Sequence, residues 1–150
     1  MTWRSLGGGG VIFLRTIMLP NESQAFDSDR YFPGPVSARV VRVIDGDTFE
    51  ASAAIWLDQQ ITVRVRIAGI DAPELRSRCD AERRGAEAAR DYLARRIEGA
   101  DVKLSAVRYD KYGGRVDATV EDQGGDVARA MIHARLARTY DGGHRDGWCG

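Results

Sequence analysis

Arg66, Asp71 and Glu74 fall within one short stretch, RVRIAGIDAPE at residues 64–74, and they are residue types suited to phosphate chemistry. A guanidinium makes planar, paired hydrogen bonds to anionic oxygens, and carboxylates three apart on one loop can hold a hard cation or position a water. Ile61 to Ile67 alternates apolar and polar residues with the period of a strand buried on one face, so Arg66 is expected to point away from the buried row. Gly69 permits a tight exit from that strand and Pro73 stiffens the next segment, which sets a cation beside two carboxylates. Taken alone, the same residues also describe an edge-strand arginine neutralised by nearby acids. Asp45 and Asp47 likewise suit a tight turn, where Asp hydrogen-bonds its own backbone.

The elements that must position these groups are five strands and two helices. Val36 to Ile44, rich in valine, is expected to meet Thr48 to Ala51 across Asp45-Gly46-Asp47, a hairpin with acids at its tip. Trp56 to Gln60 is expected to be a loop leading into the strand that carries Arg66. Asp80 is placed to cap a helix running to about Ile97, with Ala86, Ala89, Leu93 and Ile97 as its apolar stripe and Gly85 as its weak position. Val102, Leu104 and Ala106 alternate as a fourth strand, Asp110 to Gly114 turns, and Arg115 to Val120 makes a fifth. Asp126 then caps a short helix through about Ala134, burying Val127, Ala130, Met131 and Ala134, and the Gly-rich Arg138 to Gly150 is expected to be irregular. This outline is mainly β with helices, an α+β class, and matches a five-stranded OB-fold Greek-key barrel with two helices; outline alone assigns no function.

At 150 residues the chain has material for one core, expected over residues 36–150, with residues 1–35 standing apart as a signal segment and linker. Arg4, the apolar and Gly-rich Ser5 to Leu19, Pro20 and the small residues of Ser23-Gln24-Ala25 have the order of an export signal. Arg15 and Gly7 to Gly10 also suit a disordered extension. Export would make the protein periplasmic or secreted; otherwise it is cytoplasmic. The formal net charge is zero, so an anionic partner must be met by local clusters rather than a broad basic surface. No run reaches the ~18 apolar residues of a membrane span, so the mature form is expected to have no membrane partner and to be a monomer. Cys79, Cys149, His133 and His144 lack the close pairs of a zinc site. Two readings of the cysteines stand, a disulfide in an oxidising compartment or two unpaired thiols, and both histidines are read as solvated.

Three motifs occur in order on these elements: VIDGDT at Val43 to Thr48, VRIAGIDAPE at Val65 to Glu74, and DKYGGR at Asp110 to Arg115. Together they resemble the staphylococcal-nuclease (thermonuclease) family over about Val36 to Tyr140. The ending YDGG…WC, with Cys79 after the acidic loop, resembles a compact exported bacterial branch of it. The resemblance implies that Asp47 and Asp71 are calcium ligands, joined by the main-chain carbonyl of Ala72. It implies that Arg66, Glu74 and Arg115 are catalytic, the arginines clamping phosphate and Glu74 serving as general base or positioning the attacking water. Lys111, Tyr112 and Tyr140 would line the nucleotide site. The implied activity is calcium-dependent hydrolysis of DNA and RNA, single strands preferred, with little sequence specificity and 3′-phosphate ends.

Several positions depart from the family pattern. DKYGGR carries one glycine more than the shortest family form, which bears on the reach of Arg115. Arg135 stands where the family commonly has glycine, Asp117 where it more often has an apolar residue, and no counterpart of the long C-terminal helix of larger members is expected, its contribution being absent or replaced by a Cys79–Cys149 link. Two further readings are compatible with the same residues: a catalytically inactive OB-fold nucleic-acid-binding module, and a barrel in which Asp47, Asp71 and Glu74 hold a structural calcium.

Overall fold

Runs of valine, alanine and isoleucine with period two build the barrel that carries the site. The computed structural model describes residues 32–111 and 113–150, so the export-type segment and Tyr112 lie outside the described residues. In chain order the elements are β1 (Val36–Asp45), β2 (Thr48–Trp56), β3 (Gln59–Ile67), β4 (Ile70–Asp71), α1 (Asp80–Ile97), β5 (Asp101–Tyr109), β6 (Val116–Asp122), β7 (Gly125–Asp126), α2 (Val127–His133) and β8 (Arg138–Thr139). β1, β2 and β3 form an antiparallel meander, β5 pairs with β1, β6 pairs with β5, and β6 returns parallel to β3. That last pairing, Val65 to Ile67 on Val116 to Ala118, closes the five-stranded barrel and leaves it no open edge there. Phe49, Val65, Ile67, Leu93, Ile97 and Met131 are completely buried in one cluster, so both helices seal the same core. None of the helices among the described residues is long and apolar enough to cross a membrane.

Several local expectations are corrected. The loop expected at Trp56 to Gln60 is a two-residue turn, because strand pairing continues to Trp56 opposite Gln59 and Asp58 adopts a left-handed φ of 57°. The cap of α1 is Cys79, whose Sγ accepts from Glu82 N at 3.4 Å; Asp80 instead lies in the first turn, where its charge favours the helix N-terminus. Ala106 leaves the inward row of β5. A bulge between Ser105 and Arg108 turns it to φ 51° and out to solvent, where its N–H donates to Pro33 O at 3.0 Å. Phe32 is bonded in both directions to Val107, so the chain is already tied to the barrel ahead of Val36. In α2 Val127 and Met131 are buried, while Ala130 is half-buried and Ala134 exposed, since the helix stops at His133. The C-terminal segment is not wholly irregular either, as Arg138 and Thr139 pair with Asp71 and Ile70.

Gly46 at the hairpin tip is required for space rather than for a left-handed φ. A Cβ there would lie 2.6 Å from the Ala89 Cβ of α1 and 2.8 Å from the Ala72 Cβ of the acidic loop. The turn carrying Asp47 is thereby pressed against both. We expect Gly46→Ala to cost about 1–3 kcal/mol in urea unfolding, the range of overpacked cores. Arg135 presents the opposite case. It follows the Ala134 cap with φ 59°, the conformation that glycine takes without strain. Arg135→Gly is expected to stabilise by about 0.5–1 kcal/mol, the relieved strain being partly offset by a freer unfolded chain.

Candidate active site

The candidate residues gather at one end of the barrel because three adjacent pieces of chain end there: the β1–β2 turn, the exit of β3 and the β5–β6 turn. Thr48 pairs with Arg66, which sets Asp47 beside Arg66. Arg66 does leave the barrel's inner row, but it is only 7% exposed, so the expected outward arginine is covered. Its Nη2 donates to Ile70 O at 2.9 Å and lies 3.6 Å from Asp47 Oδ2. Asp47 Oδ1 accepts from the Thr48 hydroxyl at 2.8 Å, and Ala72 N approaches Oδ2 at 3.5 Å. Asp47, Arg66, Asp71 and Ala72 are thus brought into one buried group.

Two adjoining hollows open from this group. The larger, about 630 Å³, has Arg66, Lys111, Arg115, Asp117, Tyr140 and Arg145 among its walls. The smaller, about 160 Å³, has Asp71, Ala72, Glu74, Glu82, Arg145 and Trp148 among its own. Arg66, Lys111, Arg115 and Tyr140 therefore share one hollow and the acidic loop lines the other. The extra glycine of the β5–β6 turn is absorbed by two consecutive left-handed residues, Gly113 at φ 68° and Gly114 at φ 66°. Arg115 then folds back onto the buried Asp110 carboxylate, which holds its guanidinium at the cleft wall. Glu74 is exposed, its side chain 66% accessible, and its backbone N–H approaches Glu82 Oε1 at 3.3 Å.

The C-terminal tail supplies contacts that sequence reading missed. Cys79 and Cys149 form a disulfide with Cα atoms 6.1 Å apart, which brings residues 145–148 across the acidic loop. Trp148 Nε1 donates to Asp71 Oδ2 at 3.3 Å and its ring takes the Arg138 guanidinium at 3.5 Å, so it caps the acidic loop. Arg145 reaches Asp71 Oδ1 at 3.2 Å and Glu74 Oε1 at 3.1 Å. Tyr140 has the Arg66 and Arg145 guanidinium groups each 5.4 Å from its ring centre. His133 and His144 are both exposed. The signal for the tail was Cys149 itself, whose pairing with Cys79 anchors its far end beside the acidic loop.

Charge is concentrated here. Burial, and then the charge of Asp47, pushes the Asp45 carboxyl up to about 6. Burial and then Asp110 also raise Asp117, against the opposing pull of Arg66 and Arg115. The Arg145 guanidinium is disfavoured by burial, but Asp71 and a Tyr140 hydrogen bond outweigh this and raise its pKa.

Two buried carboxylates and a carbonyl are a hard-oxygen donor set, and Asp71 Oδ1 has no hydrogen-bond partner although Arg145 lies within ion-pair distance. An orphaned buried carboxylate oxygen beside a second carboxylate fits an oxygen-seeking divalent cation. The three-residue cluster Cys79, Glu82 and Cys149 does not fit one as well, since both sulfurs are spent in the disulfide.

The closed five-stranded barrel sealed by two helices places the chain in the α+β OB-fold class. The family model described as Staphylococcal nuclease homologue matches residues 64–146, more than half of the chain, and the chain belongs to that family. Among similar proteins, an "Uncharacterized endonuclease" of Escherichia coli O157:H7 is 31% identical over 106 residues, covering 71% of this chain and 62% of the relative. "Protein ParB" of Escherichia coli is 36% identical over 109 residues, covering 67% and 55%. The chain thus spans less than two thirds of the length of these relatives.

Asp117 yields a prediction independent of catalysis. Its Oδ1 is buried without a hydrogen-bond partner and its folded carboxyl titrates above the ordinary value. A carboxyl raised on folding penalises the folded state once it ionises, so stability falls as pH rises through its folded value. Asp117→Asn is expected to raise Tm at pH 7, with the gain fading as pH is lowered toward about 4, where the unfolded carboxyl also protonates. Melting curves across pH 4–8 check this, and a gain that stays constant with pH would refute it.

Proposed function

We propose that this chain is a calcium-dependent nuclease that hydrolyses phosphodiester bonds of DNA and RNA with little sequence specificity, leaving 3′-phosphate ends. The observation that carries the reading is the buried Arg66, bonded to the acidic loop and facing a cleft whose wall also holds Arg115. Phosphodiester hydrolysis places extra negative charge on the phosphate oxygens, and pre-oriented guanidinium groups stabilise it most when they need not reorganise. Arg66 is oriented by Ile70 O and Arg115 by Asp110, so each reaches the cleft already positioned.

Asp47, Asp71 and the carbonyl of Ala72 would hold calcium, for which their buried oxygens are the right donors. Bound there, the ion would polarise a phosphate oxygen and acidify water. Glu74, on the same loop and open to solvent, takes the proton of the attacking water or orients it. Lys111 and Tyr140 line the cleft and meet the flanking phosphate and base; Tyr112 shares that role on the strength of the motif. Aromatic faces stack on any base, which suits single strands and weak selectivity. A disulfide that ties the tail to the site supports export to the periplasm or the medium, where it would persist. Action as a monomer is consistent with a site built wholly from one chain.

Release of acid-soluble nucleotides from heat-denatured DNA tests the reading, with calcium or chelator, for wild type and Glu74→Gln. Calcium-dependent release that falls roughly 100- to 10,000-fold in Glu74→Gln is expected. No release from wild type, with DNA still retained on a filter, would leave an inactive binding barrel instead.

A further inference from the structure

Among the described residues, Arg145 alone belongs to the walls of both hollows. Its guanidinium meets Asp71 through Nε and Glu74 through Nη1, so one tail-borne cation neutralises both carboxylates of the loop. The hold is loose compared with that on Arg66. Arg66 is buried and hydrogen-bonded to backbone, whereas the Arg145 side chain is 38% exposed and leaves Asp71 Oδ1 without a hydrogen bond of good geometry. The backbone that carries it is pinned at both ends. Tyr140 N donates to Gly69 O at 2.9 Å, and Cys149 is tied to Cys79, with Gly142, Gly143 and Gly147 between. Such a tether keeps the side chain at the site while leaving it room to change partner.

A divalent cation and a guanidinium cannot both make close contact with the same carboxylate oxygen without strong mutual repulsion. We infer that Arg145 is a third phosphate-contacting arginine, parked on Asp71 and Glu74 until a divalent cation takes Asp71 and then turned into the cleft of Arg66 and Arg115. This rests on the nuclease reading above for the identity of the cation and of the phosphate. The cleft is the other hollow that Arg145 already lines, and the Tyr140 ring beneath its guanidinium bridges the two positions. In a chain of zero net charge this makes the capture of an anionic strand stronger once the cation is in place.

The test uses the full chain and two binding measurements that need no turnover. Titration calorimetry of calcium alone is expected to show Arg145→Gln binding it roughly threefold to tenfold more tightly than wild type, since a competing ion pair is gone. Fluorescence anisotropy of a labelled single-stranded oligonucleotide is read in the Glu74→Gln background, which stops cleavage, both in calcium and in chelator, where Asp71 still holds Arg145. Arg145→Gln should weaken oligonucleotide binding about fivefold to tenfold in calcium and less than about twofold in chelator. Unchanged or weaker calcium binding in Arg145→Gln overturns the proposal, and so does an equal loss of oligonucleotide affinity in both conditions, the behaviour of an ordinary basic surface residue. Both shifts in a protein that releases no nucleotides would sink the nuclease reading and leave Arg145 in the role proposed. Glu74-dependent hydrolysis without these shifts would sink only the role of Arg145.

Discussion

The site depends on a guanidinium that has been taken out of water. Arg66 is 7% exposed, and a buried cation of that kind is tolerable only where fixed oxygens surround it. Ile70 O and Asp47 Oδ2 provide them, one from the loop leaving β3 and the other from the turn between β1 and β2. The two acidic segments are therefore held to each other through Arg66 as well as through the barrel. Gly46 adds the steric half of that constraint, since its missing side chain lets the Asp47 turn sit against Ala72 and α1.

Around this centre the charge is arranged in opposition. Burial first, and then Asp47 for the one and Asp110 for the other, raise the carboxyls of Asp45 and Asp117. Arg66, Arg115 and Arg145 offset the negative charge from three different elements: β3, the β5–β6 turn and the tail. A site with this many carboxylates and this many arginines is poised between a bound cation and a bound anion. That balance suits phosphodiester chemistry, in which both must be accommodated at once.

The tail contributes to the site through a few contacts between distant segments. Here a disulfide and a two-stranded pairing of β4 with β8 hold the tail in place. Trp148 and Arg145 then reach Asp71 and give a short, glycine-rich segment a defined position over the acidic loop.

Much of this was legible in the chain alone. Period-two alternation identified the strands, the stripe of Ala86, Ala89, Leu93 and Ile97 identified α1, and Asp126 identified the cap of α2, because each depends on local geometry repeated along the backbone. The three motifs identified the family for a similar reason, since their residues are neighbours in sequence. What stayed hidden depends on contacts between distant segments. The burial of Arg66 comes from the loop and tail that cover it, the bulge at Ala106 from its bond to Pro33, and the cap at Cys79 from a sulfur that also belongs to the disulfide. Sequence determined which residue types were available and on which strands and helices they ride. Only tertiary structure decided that Arg145, 71 residues beyond Glu74, would share its carboxylate, because closing a barrel and a disulfide sets distances that no local pattern encodes.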